Sequence, residues 1–420
     1  MIPVLTAASG QAWEAELLAR SGTAALGVQV VARCLDVVDL LATAQVGTAR
    51  AAVVASALRH LDRDAVARLH GLGLAIVAVT EPGPAGARLR DIGVDEVVEA
   101  AGGPDQLGRA VAQAISRSDA TVATTSCTST GTRTGTTTGL GRIVAVWGPA
   151  GAPGRSTVAL GLADELAAAG VRTLLVDADP YGGSLALQLG LLDEAPGLAA
   201  AVRAAGAGAL DPSTLLSLCC TAESLMVLTG IPRAERWAEL RDAAVGSALE
   251  TSRHVAEVVV VDVGFSLEAD EELSYDLPSP RRNGATLTAL QAADVVVAVA
   301  AADPLGLHRF LRVLPELRTA MRPDAELRVI ANKLRDSAIA GRSAGEQVHD
   351  ALMRHGGCAP GPALPYDLAA TDRALAQGRT LREVAASSPL RTALRELATS
   401  LTSRATPARS RRRRGQREGR

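Results

Sequence analysis

Between residues 142 and 169 the chain passes from an apolar strand, through a loop of glycine and proline, into a helix. That succession restricts the fold more than any other feature. Arg142-Ile143-Val144-Ala145-Val146-Trp147 reads as a buried strand and Val158 to Ala169 as a helix. Between them run Gly148-Pro149-Ala150-Gly151-Ala152-Pro153-Gly154-Arg155-Ser156-Thr157. A strand that turns tightly into a helix is one half of a parallel crossover, so the expected fold is α/β with a mostly parallel sheet. A helix entered through glycine presents unpaired backbone N–H groups, and those suit a phosphate. Measured against G-x-x-x-x-G-K-[ST], the first glycine is shifted and Arg155 stands in the lysine position. The chain has a single lysine, Lys333, so no neighbouring lysine is expected to replace it.

Two further strand ends carry carboxylates. Thr173-Leu174-Leu175-Val176-Asp177-Ala178-Asp179-Pro180 delivers Asp177 and Asp179 to the C-terminal end of a strand, where ligands bind in open parallel sheets. Val258-Val259-Val260-Val261 is followed by Asp262-Val263-Gly264, the pattern of a strand whose Asp reaches a magnesium shell. The plain alternative is a Gly/Pro turn without nucleotide and aspartates that only end strands.

Upstream, short apolar runs at Pro3–Thr6, Val28–Val31, Ala52–Ala55, Ala75–Thr80 and Glu96–Glu99 alternate with Ala/Leu-rich segments. Five strands in residues 1–117 predict a small parallel α/β domain. Its spacing resembles the receiver domains of response regulators, which have a flavodoxin-like fold. That family carries a phosphoacceptor carboxylate after the third strand and an acidic pair after the first. Here those places read Ala55-Ser56-Ala57 and Thr6-Ala7-Ala8-Ser9. The resemblance thus implies a pseudo-receiver used for docking or dimerisation, with an unrelated α/β domain as the alternative. Residues 118–139 are a Ser/Thr/Gly tract that reads as a flexible linker. A second domain is expected over 140–403, and an Arg-rich, disordered tail over 404–420.

Charge follows the same division. The tail holds eight Arg and one Glu, so a net charge of −2 hides an acidic body near −9 behind a basic end. The first residues, Met1-Ile2-Pro3-Val4, lack the features of a signal peptide, and the apolar run near Val295 to Ala302 is too short to span a bilayer. The five cysteines have no zinc or disulfide spacing. A cytoplasmic protein is the expectation. With aromatics at only 2%, Ala, Val, Leu and Gly must pack the cores.

Loop, then Asp-x-Asp-Pro, then Asp-x-Gly resembles the MinD/ParA family of P-loop ATPases. Later segments extend the likeness to roughly residues 142–400: Ala293 to Val299 as a core strand, Val329-Ile330-Ala331-Asn332-Lys333 as the base-recognition strand, and Leu364-Pro365-Tyr366-Asp367 as the C-terminal signature. With a pseudo-receiver in front, the nearest subgroup is CpaE/TadZ-like, in particular its actinobacterial CpaE-like or septum-site-determining members. The resemblance implies ATP and Mg2+ as cofactors. It places Gly151, Gly154, Arg155, Ser156 and Thr157 on the phosphates and Ser156 on magnesium. Asp177 and Asp262 would support the metal shell, Asp179 would activate water, and Asn332 would read the adenine. It further implies a nucleotide-dependent homodimer that positions a pilus or secretion apparatus or a division septum. Arg155 and Asp179 would be the catalytic pair, and three departures weaken catalysis, the first being Arg155 itself in place of the Walker lysine. The family's signature lysine position is Ala150, and Pro149 and Pro153 remove N–H donors from the loop. A non-catalytic scaffold and a ParA-like DNA segregation ATPase are the rival readings.

Three peripheral segments complete the picture. Glu268 to Asn283, after Gly264 where the resemblance would begin a switch loop sensing the γ-phosphate, reads as a solvated charged loop. Leu390, Leu394, Leu397 and Leu401 recur at helical spacing and read as a stripe packed on the core. The Arg run 411–414 admits an anionic membrane or nucleic acid as partner.

Overall fold

The computed structural model describes residues 1–8, 10–127, 140–191, 196–269, 281–338 and 343–402. The tail from 404, residues 128–139 of the expected linker and the centre of the Glu268–Asn283 loop lie outside the described residues.

The first sheet holds β1 Ile2–Ala7, β2 Val28–Arg33, β3 Ala51–Ala55, β4 Ala75–Thr80 and β5 Glu96–Glu99. Its order is β2-β1-β3-β4-β5, with every pair parallel. This is the flavodoxin-like doubly wound order. β3 and β4 are buried at every position because helices cover both faces, which is why they read as unbroken apolar runs. Ala7, Ala8 and Ala55 are buried at the C-terminal ends where a receiver keeps its carboxylates. A carboxylate that does reach this end, Glu14, is only 3% exposed. It accepts hydrogen bonds from Thr6 Oγ1 at 2.6 Å and Arg33 at 2.8 Å. Burial raises its pKa, but the Arg33 and Thr6 bonds prevail and hold it below the ordinary value. Glu14 is thus a paired, closed carboxylate.

The second sheet holds β6 Arg142–Trp147, β7 Thr173–Ala178, β8 Cys220–Ala222, β9 Leu225–Leu228, β10 Val258–Val263, β11 Val295–Ala301 and β12 Glu326–Asn332. The order is β12-β11-β6-β10-β7-β9-β8, parallel except for the β8–β9 pair. Alternate side chains of β6 enter different cores: Ile143, Ala145 and Trp147 on one face, Val144 and Val146 on the other. On the second face, the leucines of helix Pro389–Thr402 pack with the helix Arg155–Ala168. Contact is close enough that a Cβ on Gly161 would stand 2.5 Å from Leu394 Cδ1. The leucine stripe is therefore core.

One boundary differs from expectation. The helix Gly103–Cys127 continues into the segment read as linker from residue 118. Residues 118–127 contain neither Gly nor Pro, so nothing in the local chemistry stops a helix there.

The two sheets' layers touch through helices. Arg63 Nε donates to Ala205 O at 3.2 Å and Arg88 Nε to Ala207 O at 3.1 Å. Asp62 pairs with Arg241, and Asp64 accepts from the backbone N–H of Ala243 at 3.1 Å, where the helix Asp242–Ser252 begins.

Candidate functional site

β6, β7 and β10 lie side by side in the sheet, so their C-terminal ends present the loop 148–154, Asp177 to Asp179, and Asp262 at one edge. Asp262 and Asp177 are paired across the register of β10 and β7. The loop carries the backbone a cradle requires: Gly151 and Gly154 have φ of 105° and 95°, and Ala152 joins them in the left-handed region at 51°. Helix Arg155–Ala168 starts directly after Gly154, so Arg155, Ser156 and Thr157 form its first turn.

Arg155 turns back over its own loop. Its guanidinium donates to Gly148 O at 3.1 Å and Pro149 O at 3.4 Å, and pairs with Asp179 at 3.3 Å. Phe265 lies beneath it, 5.9 Å from ring centre to Cζ. Asp179 also accepts from the N–H of Tyr181 at 2.8 Å.

The deeper carboxylates are in a different condition. Asp177 is buried and accepts from the N–H groups of Asp179 at 3.3 Å and Leu185 at 3.0 Å. Desolvation outweighs those bonds and pushes its pKa up to about 6. Asp262 is 1% exposed, and neither of its oxygens has a hydrogen-bond partner of good geometry. Burial raises its pKa well above the usual range, and the charges of Asp177 and Asp179 add to this. The nearby Ser156 hydroxyl and the Arg155 charge offset it only in part. A buried carboxylate without a donor is costly unless a positive group arrives. Among the described residues no three His, Cys, Asp or Glu side chains converge as a metal centre by themselves. A cation beside Asp262 and Ser156 would therefore complete its shell with waters and ligand phosphates, which is how Mg2+ is usually held.

The loop's other side opens on a cavity of about 450 Å3, within the usual range for small-molecule sites. Gly154, Thr157, Asn332, Pro365, Tyr366 and Asp367 are among the residues lining it. Asn332, at the end of β12, is buried and donates from Nδ2 to Pro153 O at 2.7 Å. A Cβ on Gly154 would collide with that amide. The lone lysine sits beside the loop after all: Lys333 Nζ donates to Ala152 O at 2.7 Å. The fold thus brings to the loop a lysine that no sequence neighbour supplies. Lys333 is distant in sequence, and only the β12-β11-β6 order brings it there.

The structure brings every sequence-predicted site residue to this edge: Gly151, Gly154, Arg155, Ser156, Thr157, Asp177, Asp179, Asp262 and Asn332. Sequence reasoning missed the wall beside Gly264. Gly264 N–H donates to Thr286 Oγ1 at 3.1 Å, and a Cβ there would stand 2.9 Å from that oxygen and 3.0 Å from Pro180 Cδ. Tyr181 stacks on Phe265 with ring centres 4.8 Å apart, Arg282 covers Tyr181, and Tyr181 donates to Asn283 at 2.7 Å. The rarity of aromatics was the available signal, since the chain has only two Phe and three Tyr.

Solved structures with the same architecture are those of ParA and MinD ATPases. The ParA family ATPase from Chlorobium tepidum TLS superposes with a TM-score of 0.52 at 19% identity, covering 62% of this chain and 99% of that one. The septum site-determining protein MinD complexed with Mg-ADP from Pyrococcus horikoshii OT3 gives 0.50 at 16% identity, covering 63% and 97%. Over the matched part of the chain, the fold is that of the ParA and MinD ATPases. No family model and no curated protein matches the chain. At such identities the likeness is one of fold, and function rests on the site.

Proposed function

We propose that this chain is an ATP-binding spatial regulator of the MinD/ParA type whose hydrolysis is slow or absent. The observation that carries the reading is the unpartnered, buried Asp262 carboxylate beside Ser156, at the foot of a glycine-formed anion cradle. Loop 151–154 and the first turn of helix Arg155–Ala168 would hold the phosphates by backbone N–H groups. Ser156 would hold Mg2+, with Asp177 and Asp262 behind it. When bound, that ion would neutralise charge on the phosphates. The cavity between Asn332 and Pro365 has the volume for a nucleoside.

Two features argue for slow turnover. Arg155, in the lysine position, is committed to two loop carbonyls and Asp179. Asp179, the residue assigned to water activation, is engaged by both Arg155 and Tyr181. A planar guanidinium is also a poor substitute for a compact ammonium. A protein that keeps nucleotide longer than it hydrolyses it can act as a switch, in which the bound state self-associates and changes partner affinity. The acceptor-less flavodoxin-like domain ahead of this site supports the CpaE/TadZ-like subgroup. Its role would be to position a pilus, secretion or septum machine at the cytoplasmic face of the membrane. The Arg155–Asp179 pair also favours a second reading, a scaffold whose site is closed by its own arginine.

Calorimetry decides between them. ATP and ADP are titrated with and without magnesium into the full chain and into Arg155→Ala and Ser156→Ala, with phosphate release followed on the same samples. Magnesium-dependent ATP binding lost in Ser156→Ala is the expected result. No heat up to millimolar nucleotide would leave the scaffold.

A further inference from the structure

The phosphate end of the loop is short of cations in its own sequence. Ala150 is uncharged, Arg155 is tied to Asp179, and Lys333 is bonded to the loop's carbonyl at Ala152. The tertiary structure supplies another. β11 neighbours β6, so the helix that follows it, Pro304–Ala320, rises beside the loop with Asp303 as its N-cap. Arg309, in the second turn of that helix, lies over Gly151. A Cβ on Gly151 would collide with Nη1 of Arg309 and stand 3.3 Å from its Cζ. The guanidinium fills the space that a side chain at the exposed tip of the loop would occupy. Among the described residues it makes no hydrogen bond or ion pair, and Arg309 itself is exposed.

We infer that Arg309 binds the terminal phosphate of the nucleotide, supplying from its own chain a cation at the loop tip. This rests on the ATP reading above and adds the residue that distinguishes three phosphates from two. The physical case is one of like charge. A helix N-terminus and a cradle of N–H groups make the loop electropositive. An unpaired guanidinium beside it gains nothing until an anion lies between them. The planar fork of arginine suits two phosphate oxygens at once. Glycine at 151 is required twice, by its φ of 105° and by the arginine above it. A bulkier residue there would displace the arginine.

The test uses the full chain with magnesium and titrates ATP and ADP into wild type, Arg309→Ala, Arg309→Lys and Arg312→Ala. Arg312 lies on the same helix, is also exposed, and serves as the control for surface charge. Arg309→Ala should weaken ATP about ten-fold and ADP less than about two-fold, the ordinary worth of one charge-assisted contact. Arg309→Lys should fall between, and Arg312→Ala should match wild type. Equal losses for ATP and ADP, or an unchanged ATP affinity, would overturn the role of Arg309 while leaving the ATP reading intact. A wild type that binds neither nucleotide overturns both.

Discussion

Asp262→Asn should raise the stability of the nucleotide-free protein and remove its response to nucleotide. The carboxylate is buried, neither oxygen has a hydrogen-bond partner of good geometry, and Asp177 and Asp179 repel it, while Ser156 and Arg155 offset this only in part. Its folded-state pKa is raised, so the ionised form costs stability, and that cost grows as pH rises above the ordinary carboxylate value of 3.8. At neutral pH the isosteric amide removes the charge and offers N–H donors to the neighbouring carboxylates. Relief of an unsatisfied buried polar group amounts to about 2 kcal/mol. For a domain of this size that is a rise of roughly 4–8 °C in melting temperature. Nucleotide acts in the opposite sense. At a hundred times its dissociation constant, Mg-ATP should stabilise the wild type by about 2.7 kcal/mol. The variant, lacking the charge behind the magnesium shell, should show little of that increment. Differential scanning calorimetry on the full chain, with EDTA or with Mg-ATP, measures both. A nucleotide-free variant that melts below wild type would refute the unpaired charge. A magnesium-dependent rise of wild-type size in the variant would refute the place of Asp262 at the cation.

Gly154→Ala should destabilise the protein by about 2–4 kcal/mol, combining left-handed strain with disturbance of the Asn332–Pro153 bond, and should abolish nucleotide binding. Chemical denaturation and calorimetry would show it, and a variant with unchanged midpoint would contradict the close packing. Asp64→Asn at the contact between the two sheets' layers tests a pH effect. Burial first, then Asp62, raises the Asp64 pKa above 3.8, so wild-type stability should fall as pH rises through that value. The amide keeps an acceptor for the Ala243 N–H, so its melting temperature should fall less as pH rises above 3.8 and be higher at pH 7. Parallel curves would mean that Asp64 does not titrate in that window.

Much of the architecture was legible because parallel strands covered by helices on both faces are short, continuous Val/Ala/Leu runs. β4 and β5 have the residues the pattern marks, and β1, β2 and β3 extend it by one or two. The leucine stripe of helix Pro389–Thr402 was equally plain, since a 3.6-residue period needs no tertiary information. The helix running to Cys127 was not. Thr and Ser content suggested a linker, while the absence of Gly and Pro allowed a helix.

The sequence by itself determined the cradle. Gly151, Gly154, Ser156 and the aspartates at strand ends are local chemistry, set by φ angles and by where a parallel strand stops. Strand order decided the rest. Placing β11 beside β6, and β12 beside β11, brings Arg309, Asn332 and Lys333 onto a loop more than 150 residues away in sequence. Placing β7 beside β10 leaves Asp262 buried and unpaired. Periodicity records which face of an element is buried, but not which neighbour covers it. Arg309 and Lys333 reach the loop from neighbouring elements, and only the folded chain assembles them there.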